Sequence, residues 1–335
     1  MSKALKIMLL VDLPHQPPNQ SEEFAALLDS PDWEDERDIH GTLKRLGHQP
    51  YWFGIFDNID PLFDNLRDER PDLVFILCES FQDRRDLAAN IVSLVELLGI
   101  PYTGSSSRAI QICMDKSLTK KILAFHDIWV PQFAVITNGK VTGSLDDFPF
   151  PAIVKPLNLA ASEGIAQMSV VHNLEEAKER AAYLWSQFAT PAIVEEFIEG
   201  REIYLGVIGK DRPQVLPPQE LHFEKVPEDQ PRFATYRAKW DDKYRKKWGI
   251  HSSNAKNISA AVDEQLNAVG KTIFKVFGLR GYARIDLRLR ADGRIYFIEA
   301  NPNPAISRSG ELAKAAKHAK ITYSRLIKKI ISATL

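Results

Sequence analysis

The chain has 335 residues, 44% of them hydrophobic and 26% charged, which is enough for two or three packed subdomains and excludes a disordered polypeptide. Lys+Arg 43 against Asp+Glu 44 leaves no global field to favour nucleic acid or an anionic membrane, so any anion site must be local. Cys78 and Cys113 are too few for a disulfide framework and lack metal-site spacing; a reduced cytoplasmic compartment and two buried apolar side chains are the expectation.

Residues 5–11 are apolar but short, are interrupted by Lys6 and run straight into Asp12, so they read as a strand and not as a signal peptide. No segment is long enough to span a bilayer. Beyond this strand the pattern predicts a helix over 34–46, strands over 50–53 and 73–78, and a helix over 87–98, an alternation that implies a parallel sheet with crossover helices. The loop 13–20, LPHQPPNQ, lies at the carboxyl end of the first strand, where open α/β sheets bind ligands, although a plain connection would look the same. TGSSS at 103–107 resembles a linker, and a helix starting near Asp115 follows it. Strands over 151–156, 166–171 and 192–198 and a helix over 174–188 then describe an α+β unit with a largely antiparallel sheet. Next come another strand, a polar and basic segment over 217–249, a helix over 262–277, a hairpin and two closing helices. Units of 1–105, 106–200 and 201–335 are the expected organisation.

The hairpin, ARIDLRLRADGRIYFIEAN over 283–301, carries the strongest geometry. Asp292-Gly293 between alternating apolar runs predicts a two-residue loop, which pairs Ala291 with Arg294. Counted outward, Asp286 faces Glu299 and Arg284 faces Asn301. These four share one surface, while Ile285, Leu287, Leu289, Tyr296 and Ile298 take the other. Two carboxylates directly opposite repel unless something cationic sits between them, and oxygen ligands of this kind suit Mg²⁺ shared with substrate phosphates. A hairpin with a solvated charged face fits the same spacing.

Phosphate-binding groups elsewhere bear on that choice. Lys155 ends an apolar strand before a loop of small residues, a plausible cradle of one charge and several backbone N–H donors, and Lys116 at a helix start offers a second charge. In the apolar strand Ile193-Val194-Glu195-Glu196-Phe197-Ile198, one acid must point inward if both faces are buried. A buried acid needs donors, which an adenine amino group or a ribose hydroxyl can supply; Glu202 is a ribose candidate by the same logic. An edge salt bridge would satisfy either acid as well. The basic, aromatic run from Tyr236 to Lys247 reads as an active-site lid ahead of a nucleic-acid patch, because the chain is neutral overall.

Taken in order, LLGIPYTGS, MDKSLTK, PAIVKP, VEEFIEGRE, YRAKW and GYARIDLRLRADGRIYFIEANPNP resemble the stations of the ATP-grasp superfamily, and within it D-alanine:D-alanine ligase. The resemblance implies a mixed α/β and α+β fold, in which an N-terminal parallel α/β domain precedes two α+β subdomains that sandwich ATP. It implies that Lys116 and Lys155 contact ATP phosphates, that Glu195 and the backbone of Glu196, Phe197 and Ile198 read the adenine, and that Glu202 holds the ribose. Lys239 would reach the γ-phosphate from the lid. Asp286, Glu299 and Asn301 would hold two Mg²⁺ ions, with Mn²⁺ as a substitute, and Arg284 would stabilise a tetrahedral intermediate. The implied reaction joins a small-molecule carboxylate to an amine through an acyl phosphate, with no nucleic acid or membrane involved, and a homodimer is implied as well.

The departures lie in the substrate half. The family's Ser-Glu-containing loop after the first strand has no clear counterpart in DLPHQPPNQSEE, and the Gly-rich EDG turn expected after Cys78 is absent. Ala161 stands for the family's serine, Leu159 for its acid and Trp240 for its lid tyrosine, three positions that normally form one hydrogen-bonded group beside the first substrate. Gly310-Glu311 stands where a Ser-Leu pair binds the second substrate's carboxylate, for which a glutamate is a poor neighbour. A ligase for substrates other than two D-alanines is therefore the leading expectation, ahead of authentic D-alanyl-D-alanine synthesis, a nucleotide-binding protein without catalysis, and a nucleic-acid binder.

Overall fold

The computed structural model describes residues 3–16, 26–30, 33–227 and 230–335. Strand β1 (Lys6–Asp12) is apolar and buried from Ile7 to Val11 because both of its faces are covered. Ile7 and Leu9 pack with Ile39 and Leu43 of helix α1 (Glu34–Arg45), whereas Met8 and Leu10 join the cluster on the opposite face. Parallel strands β2 (Gln49–Ile55) and β3 (Leu73–Ile76) flank it in the order β2-β1-β3. Helix α2 (Asp60–Asp68) buries Leu62 and Leu66 on the second face, beside α3 (Ala88–Leu97). No helix was expected at α2, although Pro61 at its start and leucines four apart were the signal. The loop proposed as a ligand site is described only as far as Gln16; its remainder lies outside the described residues.

TGSSS is a buried junction and not a free linker. Thr103 and Ser105 are fully buried, the Ser105 amide donates to Asn303 Oδ1 at 2.8 Å, and Ser106 caps α4 (Ser107–Met114) by accepting from the Ala109 amide. Asp115 caps α5 (Lys116–Phe125) in the same way, accepting from Ser117 and Leu118. An antiparallel sheet follows, with strands β4 (Phe133–Thr137), β5 (Lys140–Thr142), β6 (Ala152–Pro156), β7 (Val170–Val171) and β8 (Ala192–Glu196) in the order β5-β4-β8-β6-β7. Helix α6 (Leu174–Phe188) covers one face with Ala177, Ala181 and Leu184. The strand expected over 166–171 shortens to β7, because Gln167–Ser169 form a 3₁₀ turn.

The third sheet contains β9 (Arg201–Gly209), β10 (Gln214–Val215), β11 (Gln219–Phe223), β12 (Ile250–Asn254), β13 (Gly281–Leu289) and β14 (Ile295–Asn301). Its order is β12-β11-β9-β13-β14, with β10 paired to the end of β9. The polar and basic segment over 217–249 contributes β11 and, in the part expected to be a lid, two short helices, α7 (Tyr236–Trp240) and α8 (Asp242–Trp248). One face of this sheet (Ile203, Leu205, Ile285, Leu287, Phe297) packs on α4, α5 and α9 (Ala260–Val276). The closing helices α10 (Glu311–His318) and α11 (Tyr323–Ser332) join the core beneath β1 and β3. Gly206 lets α10 approach, since a Cβ there would sit 2.6 Å from Leu312 Cδ1.

The hairpin reaches the expected pairing by a different route. Arg290 donates its amide to the Arg294 carbonyl at 3.0 Å and Gly293 donates to Arg290 at 3.0 Å, so the loop has three residues, with Gly293 at φ 87°. This shifts the register by one, placing Leu289 opposite Ile295 and Leu287 opposite Phe297. A bulge at Ile298 then shifts it back, and Asp286 faces Glu299 while Arg284 faces Asn301. Between loop and bulge the faces are exchanged relative to the expectation. Ile295 and Phe297 enter the core, whereas Tyr296 pairs with Arg288 and lies 5.8 Å from the Trp129 ring, and Ile298 borders the cleft described next.

Candidate active site

A solvent-open cleft lies between the second and third sheets. Its walls bring together Lys155, Glu195, Glu196, Phe197, Ile198, Glu202, Lys239, Asp286 and Glu299, nine of the residues singled out from the sequence. Ile153, Phe197, Phe233 and Leu287 provide apolar surface, with Phe197 and Phe233 edge to face at 5.9 Å. Arg284 and Asn301 flank Asp286 on the hairpin, Arg284 through two hydrogen bonds at 2.7 and 3.0 Å and Asn301 Nδ2 at 3.5 Å.

Glu195 points inward, as the buried strand requires, and β8 is a central strand, so an edge salt bridge does not explain it. Its donors in this structure are lysines. Lys155 Nζ lies 2.7 Å from Oε2 and Lys120 Nζ 2.8 Å from Oε1. Burial alone would raise this carboxyl, but the two ammonium groups outweigh it and hold Glu195 below the usual carboxylate range. Oε1 is buried and has the Lys120 ammonium as its partner, while Oε2 meets Lys155. Glu202 is more fully engaged, accepting from Tyr204 Oη at 2.8 Å, from Arg288 Nη2 at 3.0 Å and from the Ala234 amide at 3.1 Å.

Lys120 and Arg288 were missed. Lys120 is completely buried and follows Lys116 by four residues on the face of α5 that also carries buried Leu123; a lysine on a core-facing helical stripe was the signal. Arg288 continues the alternation of Arg284 and Asp286 along β13, and so lay on the charged face by the same count.

Lys116 is buried and donates to the carbonyls of Leu157 at 3.4 Å and Leu159 at 2.5 Å. Burial pushes its ammonium down to about 8 from 10.5, against the pull of Glu299 and with the help of Lys155. Its charge is thus half lost at about pH 8 and goes progressively above it. If Lys116 serves phosphate, ATP affinity in a fluorescence titration is expected to fall as pH rises from about 8 to 10, and Lys116→Arg, which stays charged, is expected to flatten that limb. The stability linkage has the opposite sense: over this window the unfolded chain holds the proton that the folded one has lost, so stability from this group rises with pH.

The facing carboxylates diverge. Burial raises Asp286, and the negative charge of Glu299 adds to the rise, while Arg284 and then Lys239 oppose it. Burial would raise Glu299 too, but Lys239, Lys116 and Lys155 outweigh it and hold it low. Lys239 Nζ stands 3.8 Å from Glu299 Oε1. A buried and a partly buried carboxylate with an amide, bordered by cations, form an oxygen donor set suited to a hard ion. Among the described residues no cluster of three or more His, Cys, Asp or Glu side chains could hold a metal unaided, so such an ion needs Asn301 and substrate oxygens as well.

Two of the altered positions, Ala161 and Trp240, meet where the segment expected to be a lid lies against the loop after β6. Trp240 Nε1 donates to the Ala161 carbonyl at 2.9 Å, Ser162 Oγ donates to the Ala234 carbonyl at 3.0 Å, and the Tyr236 amide donates to the Ile165 carbonyl at 3.0 Å. Ala161 takes part through its backbone carbonyl and needs no side-chain hydroxyl to make the contact.

Residues 122–332 match the family model described as D-ala D-ala ligase C-terminus. The D-alanine–D-alanine ligase of Aquifex aeolicus is 31% identical over 294 residues, covering 87% of this chain and 91% of that protein. The chain belongs to the D-alanine–D-alanine ligase family. Among solved structures, the D-alanine–D-alanine ligase from Bacillus anthracis complexed with ATP superposes with TM-score 0.73 at 23% identity, covering 99% of this chain and 97% of that one. The VanG D-Ala:D-Ser ligase from Enterococcus faecalis gives TM-score 0.70 at 18% identity, over 99% and 100%. The fold is therefore ATP-grasp, and this family member has the expected parallel sheet followed by two antiparallel ones. None of its helices in the described residues is long and apolar enough to cross a membrane.

Proposed function

We propose that this family member is an ATP- and Mg²⁺-dependent carboxylate–amine ligase that releases ADP and phosphate and joins substrates other than two D-alanines. The observation that carries the reading is the placement of Asp286 directly opposite Glu299 in a cleft that also holds Lys155 and Lys239. A substrate carboxylate oxygen bonds to the γ-phosphorus as the bond to the β-phosphate oxygen breaks, giving ADP and an acyl phosphate. The amine nitrogen then bonds to the acyl carbon, phosphate departs and the nitrogen loses a proton. Mg²⁺ held by Asp286, Glu299 and Asn301 supplies charge neutralisation and orientation for the phosphates.

The chain's own groups account for the rest. Lys155 and Lys116 draw the phosphates inward, and Lys239 brings a further charge from the lid. Arg284 uses two donors on Asp286 and keeps its others for the oxyanion of the tetrahedral intermediate. The lid contacts of Trp240, Ser162 and Tyr236 keep water from an acyl phosphate that hydrolyses readily. The changed substrate half, with Leu159, Ala161, Trp240 and Glu311, argues for other substrates, because a shared fold does not fix them.

The test is a panel of amino acids and small carboxylates with ATP and Mg²⁺, reading both phosphate release and product mass. A new amide product from unlike substrates is the expected result. Release from no member of a broad panel would sink the ligase reading, and turnover with D-alanine alone at an ordinary enzymatic rate would overturn the substrate assignment.

A further inference from the structure

Lys120 takes no part in the chemistry above, yet it sits at the centre of the charge cluster. Its side chain is 0% exposed, its ammonium is 2.8 Å from Glu195 Oε1, and it donates to the Ile298 carbonyl at 2.9 Å. Ile298 is the residue that bulges out of β14, so Lys120 is tied to the second and third sheets at once. Lys155 differs in one respect. It pairs with the other oxygen of Glu195 but borders the cleft, which Lys120 does not. Glu195 therefore has one cation facing the nucleotide site and one behind it.

We propose that Lys120 is a resident counter-ion whose function is to release Lys155 to the nucleotide's phosphates. The inference rests on the ATP-binding reading above. With Lys155 as its sole partner, Glu195 would become an uncompensated buried carboxylate whenever Lys155 turned toward a phosphate, and the lysine would stay where it was. Lys120, held by the Ile298 carbonyl and enclosed on all sides, keeps Glu195 neutralised in both positions of Lys155. It acts through Lys155 and touches no ligand, which makes it a positioning residue.

The experiment compares binding of ATP and of adenosine, by calorimetry, to the wild-type chain, Lys120→Met and the double variant Lys120→Met/Glu195→Gln. Lys120→Met is expected to weaken ATP about tenfold or more while adenosine changes by less than about twofold, since only the phosphates need Lys155. The double variant removes the anion that traps Lys155 and is expected to recover the ratio of ATP to adenosine affinity to within about threefold of wild type, any change in the adenine contact of Glu195 being common to both ligands. A merely structural role would weaken both ligands together and would not be rescued. A folded Lys120→Met that binds ATP like the wild type overturns the proposal, as does a double variant whose ratio of ATP to adenosine affinity is no better than that of the single one. Should Lys120→Met not fold, the double variant decides alone, because it buries neither charge: a loss of about tenfold or more in ATP affinity relative to adenosine overturns the proposal. A wild-type chain that binds no ATP would instead overturn the proposed function.

Discussion

Glu299→Gln is expected to lower turnover by about 10³-fold, the scale lost when a preorganised electrostatic group is removed from an active site, while adenosine affinity stays near the wild-type value. The reason lies in how the carboxylate is held. Lys239, Lys116 and Lys155 keep Glu299 ionised despite burial, so its negative charge is permanently available to a cation and offsets three positive neighbours. An amide is nearly the same size and keeps one oxygen, so the hairpin retains its register. The charge is lost, however, and Asp286 is left as the one carboxylate of the pair. Lys116 also loses the group that holds its ammonium up, so the loss of ATP affinity with rising pH is expected to begin at lower pH in this variant. Phosphate-release assays across Mg²⁺ concentrations, with adenosine calorimetry alongside, check both halves. Unchanged turnover would remove the metal-binding assignment of the hairpin.

How far this site was legible in the sequence depends on the kind of signal. Period-2 alternation along β13 placed Arg284 and Asp286 on one face without any knowledge of the turn, because side-chain alternation is a property of the extended backbone, and the same count carried on reaches the missed Arg288. The partner strand was harder. Asp-Gly is the signature of a two-residue loop, but a type I turn with glycine in the left-handed region accepts the same dipeptide, and the difference exchanges the faces of Ile295, Tyr296 and Phe297. The bulge that restores Asp286 opposite Glu299 has no local signature, since it is fixed by what lies beneath Ile298, including the lysine that bonds its carbonyl.

Glu195 illustrates a different limit. Burial of one acid was readable from the apolar strand around it, but the identity of its donors was not, because Lys120 is 75 positions earlier in the chain and on another element. The parallel sheet and its helices were readable from periodicity, apart from the short α2. The lid was readable as a segment but not as a set of contacts: that Trp240 donates to a backbone carbonyl depends on the left-handed conformation of Ala161, at φ 56°, which residue type does not announce.

Arg284→Met is expected to cost both turnover and stability, and the two losses can be separated. Arg284 is nearly buried, stacks 5.0 Å from the Tyr204 ring and gives Asp286 both of its close hydrogen bonds. Burial already raises Asp286 and Arg284 is the largest influence opposing that rise, so removing it drives the carboxyl further up. Breaking a buried pair from one side costs about 3–5 kcal/mol, because the remaining charge has lost its compensation. The sign with pH follows. A carboxyl whose folded pKa exceeds its unfolded value destabilises above that folded pKa and ceases to do so as pH falls toward the unfolded one, so the deficit should be largest at neutral pH and shrink in acid. Arg284→Met/Asp286→Asn, which removes both charges, is expected to regain most of the stability in denaturant titrations but none of the turnover, since it lacks a metal ligand and the donor for the tetrahedral intermediate. Arg284→Lys keeps the charge without the planar fork and is expected to fall between, with more stability than activity. If Arg284→Met is stable yet supports turnover within about tenfold of wild type, the guanidinium serves Asp286 alone and the intermediate is stabilised by other groups.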